Sequence, residues 1–110
     1  MKFELVKKDY KDEWYEAKYK WKSIVLSFRV HMGYHTILKF WTVSAFITGI
    51  VFSVDIPNMI EDVQSRKQAR VFAIKWMKEI ENNPEKYINT LDEFHLQGLL
   101  ENHERKYIFK

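Results

Sequence analysis

The sequence predicts an all-α chain organised around one transmembrane helix, and three observations lead there. The centre of the chain is long and apolar, turn residues are scarce, and the flanking apolar residues recur at three- and four-residue spacing. Between Phe40 and Val54 no formal charge occurs, and in the preceding ten residues only Lys39 carries one. Three Gly and two Pro in 110 residues leave few tight turns, which disfavours an all-β reading. The predicted layout is an N-terminal amphipathic helix, the span, and two C-terminal helices, with no independent globular core.

The first segment, residues 1–36, is basic and aromatic. Trp14, Ala17, Trp21, Ile24, Val25 and Phe28 repeat at helical spacing, so the stretch from Asp9 to Thr36 reads as helix. Gly33 weakens it and marks a bend. The opening MKFELVKKDYKDEW lacks the apolar core of a signal peptide. Its Glu4, Asp9, Asp12 and Glu13 are unlike a mitochondrial transit peptide. Targeting information is therefore expected in the body of the chain.

The second segment, residues 37–56, is the expected span. Its charge-free run reaches about 22 Å as a helix, and the apolar ends extend it toward the ~30 Å hydrocarbon core. Lys39 is placed to snorkel, and Tyr34 and Trp41 to sit at the interface, while Asp55 and Pro57 close the other end. Ala45, Gly49 and Ser53 recur every four residues. With Leu38 and Thr42 they form a predicted helix-packing face, since small residues let helices approach closely in lipid. Phe40, Val43, Ile47, Ile50, Val51 and Val54 would then face lipid. The alternative is a soluble all-helical protein-binding module in which residues 40–54 form the core.

The third segment, residues 57–110, is polar. Asn58 with Glu61 matches a capping box and opens a helix expected over residues 59–81, stopped by Asn82-Asn83-Pro84. Thr90 with Glu93 gives a second box, opening a helix with Leu91, Phe94, Leu99 and Leu100. Tyr107-Ile108-Phe109 ends the chain with side chains suited to a partner's groove.

Composition and motifs exclude several functions. Cysteine is absent, which removes disulfides, thiolate metal sites and a cysteine nucleophile. A net charge of +3 arises from interspersed acids and bases, unlike a nucleic-acid stripe. No phosphate loop, GxSxG or HExxH occurs, so no catalysis and no small-molecule substrate are expected. Glu61–Asp62, Glu79–Glu81 and Asp92–Glu93 lie beside basic residues and read as solvated faces. His31 and His35, four apart, share a face, but two ligands without a third make a weak metal or haem site; no cofactor is expected. His95 and His103 read as ordinary surface residues. Arg66, Lys67 and Arg70 form a basic cluster that would meet anionic headgroups.

The stretch FITGIVFSVDIPNMIEDVQSRKQARVFAIKW resembles, in plan, the single-pass accessory subunits of mitochondrial respiratory-chain complexes, most nearly the cytochrome c oxidase subunit VIc type. The resemblance implies a structural subunit of an inner-membrane respiratory or ATP-synthase assembly, without a redox centre. Its partners would be other membrane subunits and the lipid bilayer, with no nucleic acid.

Overall fold

Burial along the chain alternates residue by residue, and that period of two belongs to strands. The computed structural model describes residues 1–22, 24–49 and 53–89. Five strands come first: β1 (Glu4–Lys8), β2 (Asp12–Trp21), β3 (Ile24–His35), β4 (Phe40–Thr48) and β5 (Ser53–Val63). Two helices follow, α1 (Arg66–Asn82) and α2 (Pro84–Ile88). The strands form one antiparallel sheet in the order β1-β2-β3-β4-β5, each paired with its neighbours in the chain.

Among the described residues, the sheet has one covered face and one uncovered face. In β3, Ile24, Leu26, Phe28, Val30 and Met32 point to the covered side; in β4, Trp41, Val43, Ala45 and Ile47 join them. β-branched and aromatic residues favour this pleated, half-buried setting. Helix α1 lies over that side and buries Ala69, Ala73, Trp76, Met77 and Ile80, a stripe at helical spacing. Ala45, Ala69 and Ala73 belong to the same buried cluster, small residues that leave room for helix and sheet to come together. Tyr87 and Ile88 of α2 complete the core.

Local signals set the boundaries. Ser65 caps α1: its hydroxyl accepts from the Gln68 backbone N–H, while the Gln68 side chain accepts from the Ser65 backbone N–H. α1 ends at the Asn82-Asn83-Pro84 break, and Pro84 opens α2. β5 carries an irregularity opposite Ala45, where the pairing jumps from Ser44↔Ile60 to Phe46↔Asp55. Pro57 and Asn58 occupy the bulge, Asn58 with φ of 65°. The interruption shifts the alternation, so that both Ile56 and Met59 reach the core.

These observations overturn the all-α layout. Asp9–Thr36 is two strands of a hairpin, and the expected span covers a turn, β4 and the start of β5. No helix among the described residues is long and apolar enough to cross a membrane. The soluble all-helical alternative fails equally, because residues 40–54 lie in strands and their connection. The Asn58–Glu61 capping box is not used; the helix is capped seven residues later, at Ser65. A shared core of strands and helices replaces the chain without a globular core. The Thr90–Glu93 box, its helix, His95, His103 and the terminal Tyr107-Ile108-Phe109 lie outside the described residues.

Candidate functional site

The uncovered face of the sheet concentrates the polar and aromatic chemistry. It is read as cross-strand rows, because residues paired between strands stand side by side on one face. The central row is Trp14 (β2), His31 (β3), Ser44 (β4) and Ile60 (β5). Trp14 and His31 stack with centroids 3.9 Å apart and 24° between planes, and Phe46 meets the indole edge-on at 5.8 Å. The next row is Glu16, Arg29, Phe46 and Asp55, in which Arg29 Nε donates to Glu16 Oε2 at 2.8 Å. On the other side lie Asp12, Gly33, Thr42 and Asp62.

The His31 ring is held on several sides. Its Nε2 stands 2.6 Å from Asp12 Oδ1; an ionised carboxylate only accepts, so Nε2–H is the donor. A Cβ on Gly33 would lie 2.8 Å from His31 Cε1, so glycine is what lets the ring lie flat along its own strand. His35 is fixed by a relay. Thr42 Oγ1 donates to Asp62 Oδ1 at 2.7 Å and is left to accept from His35 Nε2 at 2.9 Å. The His35 ring also stacks on Phe40 at 4.4 Å.

On the covered side, one carboxylate is buried. Glu13 is 1% exposed and receives Arg66 Nε at 2.7 Å, Arg70 Nη2 at 3.2 Å and the Tyr15 hydroxyl at 2.9 Å. Burial alone would raise its pKa, but hydrogen bonds from Arg66, Tyr15 and Arg70 outweigh that and hold it below the ordinary value. Desolvation and the Glu13 carboxylate push the Tyr15 hydroxyl up. Arg66 also lies over the Trp41 ring at 5.1 Å and donates to the Asp9 carbonyl oxygen at 2.8 Å. This cluster joins the start of α1 to β2 and is structural. The basic cluster expected to meet headgroups thus spends Arg66 and Arg70 on an internal carboxylate.

The structure disperses the other expected site residues. Leu38 is at the tip of the β3–β4 turn, Thr42 on the uncovered face, Ala45 in the core, and Gly49 and Ser53 flank the β4–β5 connection. They form no helix face. Among the expected lipid-facing set, Val43 and Ile47 are core, Val54 packs against it, and Phe40 stacks on His35. Ile50 and Val51 lie outside the described residues. Tyr34 and Trp41, expected at a membrane interface, pack on each other at 5.3 Å at the edge of the core. Lys39 adopts φ of 58° in the turn. His31 and His35 do share a face, since residues four apart in a strand also point the same way. Among the described residues, no three His, Cys, Asp or Glu side chains converge as a metal site.

Compared with protein-family models, curated proteins and solved structures, the chain matches none. The resemblance to respiratory accessory subunits was carried by a span followed by a basic helix. The quoted stretch instead holds the end of β4, all of β5 and the first eleven residues of α1. Function must be argued from the face itself. None of Trp14, Phe46, Arg29, Glu16 and Asp12 is a site residue in the sequence reading, and the signal for them is the alternation within β2, β3 and β4.

The face permits two kinds of chemistry. A histidine oriented by a carboxylate is the arrangement of a general base. Ser44 stands in the same row, and among the described residues no hydrogen bond joins its hydroxyl to the ring. The second kind is recognition: rigid aromatic rings and a guanidinium, each already aligned by neighbours, presented on a broad surface.

Proposed function

We propose that the chain is a non-catalytic protein-binding module that docks its partner on the uncovered sheet face. The observation carrying this reading is the Trp14–His31–Phe46 cluster, half-buried at the centre of a face that no other described element covers. A solvated sheet face needs only polar and charged residues, and aromatic rings at its centre lose free energy in water. Trp and Arg are also the residues that most often anchor protein interfaces.

The charges favour a protein over a nucleic acid as the partner. Lys18, Lys20 and Arg29 are balanced on the same face by Asp12, Glu16, Asp55 and Asp62. Phosphate-tracking surfaces avoid such acids. Most of these groups are already paired, so a partner meets oriented donors and acceptors at low cost in side-chain entropy.

Site-directed photo-crosslinking tests the reading. A photoreactive residue at Ser44 should yield one discrete protein adduct in cells, and the same residue at Lys75, on the outer side of α1, should not. Phe46→Glu should remove the adduct while the melting transition persists. Equal labelling from both positions, or no adduct from Ser44, sinks the proposal.

A further inference from the structure

One end of the sheet exposes apolar side chains that the uncovered face does not explain. The four-residue turn from Thr36 to Lys39 leaves Ile37 89% and Leu38 71% exposed. Beside it, the β1–β2 turn leaves Tyr10 73% exposed. The two turns are fastened together, because Tyr34 N donates to the Lys11 carbonyl oxygen at 2.8 Å. Asp9 Oδ1 accepts from the backbone N–H groups of Lys11 and Asp12, each at 2.8 Å, which fixes the smaller turn. A depression between them is lined by Lys11, Tyr34, His35, Thr36, Ile37 and Leu38.

Charge is layered around this tip. Lys7, Lys8, Lys11 and Lys39 lie in or next to the two turns. The nearby acids are already engaged: Asp9 with backbone N–H groups and Lys7, Asp12 with His31, and Asp62 with Thr42. The end is therefore apolar at its summit, with four lysines around it against three aspartates whose oxygens are turned toward other partners.

We propose that this end docks on an anionic phospholipid surface, with Ile37 and Leu38 entering the boundary between headgroups and acyl chains and the lysines meeting the headgroups. The contact is made from one side, by a hairpin tip, and no segment crosses the bilayer. Size chooses lipid over a protein partner. Three exposed apolar side chains at the two turns cover far less than the roughly 800 Å² per partner that a stable protein interface buries. A bilayer suits such a tip, because a small apolar insertion and a few basic residues together give reversible binding. The surface is separate from the Trp14–His31–Phe46 face, so either proposal can fail alone.

The chain contains no cysteine, so a single Ile37→Cys substitution takes an environment-sensitive dye at the tip alone. The labelled full-length protein is mixed with phosphatidylcholine vesicles, with or without phosphatidylserine. A blue shift with the phosphatidylserine vesicles only, weakening as salt is raised, is the expected result. In sedimentation with unlabelled protein, Leu38→Asp should lower partitioning about tenfold or more. Lys11→Glu with Lys39→Glu should lower it too, with unchanged melting temperatures. Three results each overturn the proposal: no shift with anionic vesicles, partitioning indifferent to Leu38→Asp, or a dye already shifted in buffer. The last would mean that a second copy or another part of the chain covers the tip.

Discussion

The two faces of the sheet are made by alternate residues of the same strands, yet they are held by different physics. The covered face is a continuous apolar cluster in which Leu26, Phe28, Val30, Met32, Val43 and Ile47 are fully enclosed. The uncovered face is a set of pairs: Trp14 on His31, His31 on Asp12, Arg29 on Glu16, Thr42 on Asp62. Burial of apolar area stabilises the first, whereas half-exposed pairs contribute little to the second. Substitutions on one face should thus unfold the protein, and on the other should change what it binds.

The sharpest way to break this contrast is a cavity. Phe28→Ala should cost about 3–5 kcal/mol in a urea titration, because the enclosed site cannot collapse fully around the loss. Second comes the buried carboxylate of the covered side, Glu13. Arg66→Ala leaves the buried Glu13 carboxylate with Arg70 and Tyr15 alone, and should cost about 2–3 kcal/mol after allowing for the partial exposure of Arg66.

Acid tests the same cluster without mutation. The folded pKa of Glu13 is held below its ordinary 4.5, so its stabilisation is fully present above the unfolded value. It is lost as pH falls through and below 4.5 toward the folded value. Melting temperature measured against pH should drop over that window, and Glu13→Gln should lessen the slope there while lowering stability at neutral pH.

Smaller effects belong to the uncovered face. Gly33→Ala pushes a methyl group against His31 Cε1, and the imidazole must leave Trp14 or Asp12. The expected cost is about 1 kcal/mol or less, with an altered His31 imidazole spectrum in NMR and altered tryptophan fluorescence. Smallest is Arg29→Gln, about 0.5 kcal/mol or less, since the ion pair with Glu16 is partly exposed. Loss of the Ser44 crosslinked adduct in that variant would sharpen the contrast, and a large loss of stability would break it.

Only part of this was legible in the sequence. The Asn82-Asn83-Pro84 break is readable, because a proline acts locally, whereas the buried stripe of α1 is not, since it uses Ala69 and Ala73 and leaves Val71 and Ile74 exposed. The strands were hidden by their second face. In β4, Trp41, Val43, Ala45 and Ile47 alternate cleanly, but Phe40 and Phe46 fill the intervening positions and turn the alternation into an apolar run. Such a run is not distinguishable from a span by hydropathy alone. Trp14 did the same in β2, where Trp14, Ala17 and Trp21 imitate helical spacing while belonging to two opposite faces. In β5 the bulge at Pro57 and Asn58 broke the period itself and left a false helix start. The candidate face was missed for the reason that makes it interesting: its aromatic residues stand where a solvated strand would carry polar ones. His31 and His35 share a side of strand β3 and not of a helix, because a spacing of four returns to the same face in either element.

The neighbour-by-neighbour strand order has a consequence for synthesis. Each hairpin can zip up as soon as its second strand leaves the ribosome, since no strand waits for a distant partner. The helix that shields Leu26, Phe28, Val30 and Met32 follows all five strands, at residues Arg66–Asn82. Throughout translation of β3, β4 and β5 the growing sheet therefore holds a bare, greasy side, and the nascent polypeptide is most open to chaperone capture or clumping just before α1 emerges.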